Sequence, residues 1–335
     1  MSFTKSPKLG DIVDIMKTLP IAFASDDKGV LLLGISLYSL LISKNPDTKY
    51  RIYILEDKIS IENQQKIKLL QDSFDCEIIF VPIYDLLERY ITKKFRQWPS
   101  TMYGRFFLSS LLPYEKIMLY LDIDTLIIRD LSEIFETKLG MYLMGVVYQR
   151  QDEISELWKQ RLHIHKSFSY FNSGVLLMNL EKMRHDNIEH ELLDYLHHHE
   201  NELGYPDQDV LNAVLYGRVK RLHPKWNWHA SHTRKLLCQY KRMNSRWGHC
   251  SIPVMEEAAC DPYIIHFPGL PKPISYNYNF YGKLYRKIWL ESPWRDIPIT
   301  GKKRIKYWFR RMFYLPFDWL LKMKIWFLRG KIKME

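Results

Sequence analysis

A chain of 335 residues with 47% hydrophobic and 26% charged residues can bury a large core, as one big α/β domain or two smaller ones. No run of about 18 uncharged apolar residues occurs, which excludes a span that crosses a bilayer as a helix. The net charge of +11 sits at one end: from Gly301 onward eleven basic residues face only Asp318 and Glu335, so +9 of it belongs to the tail.

In chain order, Leu19–Ser25 reads as a buried strand closed by Asp26-Asp27-Lys28-Gly29. Val30–Ser43 carries helical apolar spacing up to the break at Asn45-Pro46-Asp47. Arg51–Leu55 is a second strand, Ser60 an N-cap for a helix reaching about Gln71, and Glu77–Val81 a third strand. This β–α alternation predicts a mainly parallel sheet covered on both faces. Met102–Leu112 suits a helix stopped by Pro113, and no domain boundary is expected before about residue 290.

The central stretch is Lys116–Asp124, an apolar run ending in two carboxylates one residue apart. On an extended strand residues i and i+2 share a face, so Asp122 and Asp124 would project together while Ile123 turns into the core. Two uncompensated carboxylates there repel each other and are costly to desolvate. A hard divalent cation, Mg²⁺ or Mn²⁺, is one remedy, and a solvated Asp turn is the other reading. Ligands of parallel sheets collect at the carboxyl ends of strands, so Asp26 and Asp27 would face the same crevice. The first βα turn lacks GxGxxG, and the chain has neither GxxxxGK[ST] nor GxSxG. These absences argue against a dinucleotide dehydrogenase, a P-loop nucleotidase and a serine hydrolase.

Phe168–Leu180 reads as a turn running into an apolar strand, where Asn172 and Ser173 either grip sugar hydroxyls or shape the turn. Tyr205–Asn212 starts a helix with Asp207 and Asp209 in its first turn, where acids also complement the helix dipole. His197–His199 are expected on a solvated helix face. Trp226 and Trp228 flank Asn227 and either stack on sugar rings or pack in the core. Pro262–Pro273 is a short strand emptying into a Pro/Gly-rich loop. His266 at that strand's end is a candidate third metal ligand that leans the site toward Mn²⁺, and Lys272 adds a cation for phosphate.

Cys76, Cys238, Cys250 and Cys260 are scattered without CxxC pairing. With no evident signal peptide they are expected as reduced thiols in a cytosolic protein, and the spacing of His249, Cys250 and Cys260 is irregular for zinc. In the tail the basic residues interleave with Tyr307, Trp308, Phe309, Phe313, Tyr314, Phe317, Trp319, Trp326 and Phe327, and Pro316 divides two short helices. Basic charge with Trp and Phe is the pattern of an interfacial segment, so residues 291–335 are expected to dock on an anionic membrane at its cytoplasmic face. Aromatics packed back on a catalytic domain, or nucleic-acid binding, are the other readings.

Taken in order, six blocks resemble glycosyltransferase family 8, especially its bacterial lipopolysaccharide α-galactosyl- and α-glucosyltransferases. They are Phe23-Ala24-Ser25-Asp26-Asp27, Tyr103-Gly104-Arg105, Leu121–Asp124, Phe171–Leu176, Asp207–Asn212, and His266-Phe267-Pro268-Gly269 through Lys272. The resemblance implies a GT-A fold over residues 1–290, an α/β unit with a mixed, mainly parallel sheet flanked by helices, followed by the helical tail. It implies retaining transfer of a hexose from UDP-galactose or UDP-glucose to a glycan acceptor, with lipopolysaccharide or another lipid-linked surface glycan expected.

By the same resemblance Asp122, Asp124 and His266 match ligands of Mn²⁺, with Mg²⁺ as the alternative. Ala24, Asp26, Arg105, Asp122, Ile123, Asn172, Ser173, Gly269 and Lys272 match donor nucleotide and sugar contacts. Gln208, Asp207 and Arg105 match catalytic positions. An amide is a poor nucleophile, so attack from the leaving-group face is expected, with a departing phosphate oxygen as base. The chain departs from the family at Lys28-Gly29, where Asn and Tyr are common, so uracil stacking must come from elsewhere. It departs again over Arg234–Cys260, where the acceptor side is expected to differ. The competing readings are a family member that binds without turnover, a nucleic-acid-binding protein, and a sugar nucleotidyltransferase, which would normally carry a Gly-rich loop after the first strand.

Overall fold

The computed structural model describes residues 18–91, 99–149, 155–232, 250–269, 272 and 281–297. The basic tail from Gly301 and most of the divergent stretch, up to His249, lie outside them.

Strand β1 (Thr18–Asp26) leads into α1 (Val30–Ile42), followed by β2 (Lys49–Asp57), α2 (Ile61–Ser73), β3 (Cys76–Pro82) and α3 (Tyr84–Tyr90). Ser60 caps α2 as its position predicts, its side chain accepting from the Asn63 N–H at 3.4 Å. The helix expected over Met102–Leu112 is a 3₁₀ helix over Ser100–Phe107 that relaxes into the short α4 (Leu108–Leu111). Two contacts go with the tighter winding: a Cβ on Gly104 would lie 3.0 Å from Ile83, and Arg105 Nε donates to the Met102 carbonyl at 2.9 Å.

Next come β4 (Ile117–Leu121), β5 (Thr125–Ile127), β6 (Met144–Tyr148), α5 (Glu156–Arg161) and β7 (Phe171–Asn179). The chain continues through α6 (Leu180–His185), α7 (Ile188–His199), α8 (Pro206–Leu215), β8 (Val219–Arg221) and β9 (Trp228–His229). Helix α9 (Ile252–Cys260), β10 (Ile264–His266) and α10 (Gly282–Glu291) complete the described elements.

Seven strands form one sheet in the order β3-β2-β1-β4-β7-β6-β8. Pairings are parallel except where β7 runs antiparallel to both β4 and β6, so the sheet is mixed and mainly parallel. Alternate residues of the central strands enter different cores. Ala22, Met118, Tyr120 and Leu176 pack on the face of α6, α7 and α8, whereas Ile21, Leu119, Leu121 and Leu177 pack on the face of α1 and α2. Burial on both faces is why these strands read as continuous apolar runs. Trp294 is fully buried against α1, where a Cβ on Gly34 would lie 2.3 Å from its ring.

A second sheet, β5-β10-β9, fixes the functional geometry. Its antiparallel register sets His266 opposite Thr125, directly beside Asp124, and the Phe267 N–H donates to the Asp124 carbonyl at 3.0 Å.

Candidate active site

Strand β4 stops at Leu121, and the Thr125 N–H donates to the Asp122 carbonyl at 3.2 Å, closing a turn. Asp122 and Asp124 therefore lie in a tight turn and not on one face of a continuing strand, which corrects the alternation argument. They converge all the same. One ligand atom from each of Asp122, Asp124 and His266 lies within 4.8 Å of the others. His266 Nε2 is 3.2 Å from Asp124 Oδ1 and 3.7 Å from Asp122 Oδ2. Ile123, between the acids, is half-buried and packs against the core as expected.

Cations surround these acids. Lys272 Nζ pairs with Asp124 Oδ2 and donates to the Phe267 carbonyl at 3.2 Å. Burial alone would raise the Asp124 pKa, but His266 and Lys272 together outweigh it and hold the carboxyl well below the usual carboxylate range. Arg105 is buried beneath Asp122, with Nη2 donating to Asp122 Oδ1 at 2.8 Å. Its Nη1 reaches the Ser173 carbonyl at 2.5 Å and Asp207 Oδ2 at 3.1 Å, and its plane covers the Tyr120 ring at 4.3 Å. Arg105 thus ties the end of β4 to the start of α8.

Strand β7 closes the site at backbone distance. A Cβ on Gly174 would sit 2.2 Å from His266 Cε1 and 2.8 Å from Asp122 Oδ2, so any side chain there would fill the space between two prospective ligands. Asn172 and Ser173 belong to β7 itself and not to a preceding turn. Ser173 Oγ donates to Asp207 Oδ2 at 3.0 Å, and Gln208 Oε1 accepts from Asn172 Nδ2 at 2.9 Å and from the Ser173 N–H at 3.1 Å. Burial raises the Asp207 pKa against the opposing charge of Arg105. Asp209 is fully buried and accepts from Tyr170 Oη, Trp158 Nε1 and the N–H groups of Gly204 and Tyr205. It is more than a helix-dipole acid, since it holds the start of α8 in place.

The sequence profile of glycosyl transferase family 8 matches residues 20–277. The chain belongs to glycosyl transferase family 8. A lipopolysaccharide 1,2-glucosyltransferase of Escherichia coli is 26% identical over 307 residues, covering 88% of this chain and 84% of that protein. A putative glycosyltransferase of Haemophilus influenzae is 28% identical over 220 residues, covering 63% of this chain and 64% of its own length. Among solved structures, the galactosyltransferase LgtC in complex with donor and acceptor sugar analogs superposes with a TM-score of 0.68 at 24% identity, over 82% of this chain and 96% of LgtC. An active-site mutant of LgtC gives 0.71 at 22% identity, with the same coverage. The fold is therefore the GT-A type.

Ala24 is buried in β1, and Asp26 Oδ1 accepts from the Gly29 N–H at 2.8 Å. Gly269 has φ +75 with open space around its prospective Cβ, a conformation that favours glycine. Trp226 and Trp228 are both buried, so they pack in the core and do not stack on sugars. His197 and His198 are exposed, as expected, while His199 is half-buried under Tyr195. His163, His199 and Glu202 form another three-ligand group among the described residues, but its contacts are solvent-facing ion pairs. Among the described residues, Cys76, Cys250 and Cys260 form no disulfide bond.

Sequence reasoning passed over Tyr170 and Asn227. Both are buried and bonded to site residues: Tyr170 Oη to Gln208 and Asp209, Asn227 to Asn172 and His266. A polar residue between two tryptophans destined for the core was the available signal at Asn227, because burial there demands polar partners.

Proposed function

We propose that this glycosyltransferase moves galactose or glucose from a UDP-sugar to a glycan acceptor, with retention and with a divalent cation held by Asp122, Asp124 and His266. The convergence of these three ligand atoms within 4.8 Å carries the reading. Two carboxylates and an imidazole suit Mn²⁺, with Mg²⁺ the alternative, and the space that a Cβ on Gly174 would fill favours an ion beside them. When bound, the cation supplies Lewis-acid stabilisation of the leaving diphosphate.

The chain's own groups do the rest. Lys272 and Arg105 keep positive charge beside the acids, and Lys272 is the ammonium for the departing phosphate. Asp207 and Gln208 reach the donor-sugar side already engaged. Both hydrogen bonds to Gln208 Oε1 would weaken its nucleophilicity further, and Asp207 Oδ2 is held by Ser173 and Arg105. Asp209 is saturated by donors. This favours attack by the acceptor hydroxyl on the leaving-group face, with a phosphate oxygen taking its proton.

The names of the relatives support a lipopolysaccharide or other lipid-linked acceptor, and the tail from Gly301 would bring the enzyme to an anionic cytoplasmic membrane face. No helix among the described residues is long and apolar enough to cross a membrane. A screen of UDP-sugars with Mn²⁺, reading UDP release and the anomeric configuration of the product, tests the reaction. Full activity in EDTA or a β-linked product would overturn it. Co-sedimentation with anionic vesicles, with and without residues 301–335, tests the docking.

A further inference from the structure

Six buried side chains link the first turn of α8 to the prospective metal ligand His266: Asp209, Tyr170, Gln208, Asn172, Asn227 and His266. Successive contacts measure 3.1 Å from Gln208 Nε2 to Tyr170 Oη, 2.9 Å from Asn172 Nδ2 to Gln208 Oε1, 2.8 Å from Asn227 Nδ2 to Asn172 Oδ1 and 2.9 Å between Asn227 Oδ1 and His266 Nδ1. Tyr170 Oη donates to Asp209 Oδ1 at 2.5 Å.

The direction of every link follows from groups that can only donate. The Ser173 N–H meets Gln208 Oε1 at 3.1 Å, and the Gly174 N–H meets Asn172 Oδ1 at 2.9 Å. A backbone N–H cannot accept, so both atoms are the amide oxygens, and the usual ambiguity of an amide flip disappears. Asn227 must then offer its NH₂ to Asn172 Oδ1, which turns Asn227 Oδ1 toward His266. That oxygen only accepts, so His266 Nδ1 carries a proton, and Nε2 is the nitrogen turned toward Asp122 and Asp124.

We infer that Asn227 is a positioning residue that holds the His266 Nδ1–H and so leaves Nε2 to face the metal site, and that Asn172 relays this orientation to Gln208. The inference rests on the metal-dependent reading for its purpose, not for its geometry. A metal-binding imidazole is oriented by the acceptor on its other nitrogen. Here that acceptor is a side-chain amide whose own orientation is set by β7, the strand that also holds the donor-sugar side. One polarised chain thereby aligns the metal ligand and Gln208 together.

The test uses the full-length protein. In metal-free enzyme labelled with ¹⁵N-histidine, with His266→Gln to assign the signal, His266 should show a hydrogen-bonded, slowly exchanging proton on Nδ1. Asn227→Ala should abolish that signature and weaken Mn²⁺ binding, read by titration calorimetry, by about 10–100-fold. Asn227→Asp still accepts from Nδ1–H but cannot donate to Asn172. It should restore Mn²⁺ affinity to within about threefold of wild type, a small fraction of that loss, while kcat stays low and KM for the donor changes little. A wild-type His266 without a proton on Nδ1, or a folded Asn227→Ala protein with unchanged Mn²⁺ affinity, would overturn the inference. If wild-type enzyme binds no Mn²⁺ and works in EDTA, the metal-dependent reading fails, and the Nδ1–H measurement still decides the polarity of the chain.

Discussion

Asp26 ends β1 and Asp27 follows it, and Asp122 and Asp124 follow β4, the strand hydrogen-bonded beside it. The two turns touch: a Cβ on Gly29 would come within 2.8 Å of Ile123. In sequence the pairs look alike, carboxylates at the end of a buried strand. Their partners separate them. Asp26 Oδ1 accepts from the Gly29 N–H, and Asp27 Oδ1 from the Ser60 N–H and Asn63 Nδ2, each at 2.8 Å. Asp122 and Asp124 meet Arg105, Lys272 and His266. Acids satisfied by amide donors complete a turn and dock a helix; acids massed against a guanidinium, an ammonium and an imidazole hold charge that a ligand can replace. Asp26 retains its proposed nucleotide role alongside its cap.

The largest effect is expected at Asp124. Asp124→Ala should lower transfer by about a thousand-fold, in line with the loss of a major electrostatic stabiliser, while circular dichroism stays unchanged. Turnover within tenfold of wild type would place the second acid pair with the first. Gly174→Ala comes next: its methyl must displace His266 or Asp122, so Mn²⁺ affinity should fall and stability drop by about 1–3 kcal/mol in a denaturant titration. Lys272→Ala should separate metal binding from turnover, because the ammonium competes with a metal for Asp124. Mn²⁺ should bind about fivefold tighter, the equivalent of ~1 kcal/mol for a partly exposed pair, while kcat falls. Affinity and kcat falling together would assign Lys272 a purely supporting role.

The strands and helices of the first ninety residues were legible because their local patterns agree with their burial on both faces. The antiparallel course of β7 was not, since nothing local distinguishes the pairing partner of an apolar strand. At the site, residue identities could be read but their geometry could not. Asp122 and Asp124 converge through a turn, and His266 joins them through a register between β5 and β10 that links residues 142 apart. Asn227 escaped for the same reason: its partners, Asn172 and His266, lie 55 and 39 residues away. Trp226 and Trp228 pack inward because β9 pairs with β10, placing this segment in the interior.

The smallest effect belongs to Asp27. Its carboxylate is exposed at the start of α2, bonded to Asn63 and Ser60, and those bonds lower its pKa from 3.8. A depressed folded-state pKa stabilises the protein above the unfolded value, and this contribution disappears as pH falls through the folded value. Solvent screening keeps it small, so Asp27→Ala should cost about 0.5 kcal/mol at neutral pH, the scale of an exposed acid at a helix N-terminus. The wild-type and variant denaturation curves should converge below pH 3.8. Transfer at neutral pH should stay within about twofold, since half a kcal/mol on a scaffold contact leaves the folded population essentially intact. A loss of activity at Asp27 comparable to that at Asp124, with the stability curves unchanged, would mean that the acids after β1 also carry chemistry, and that amide partners alone do not mark a carboxylate as structural.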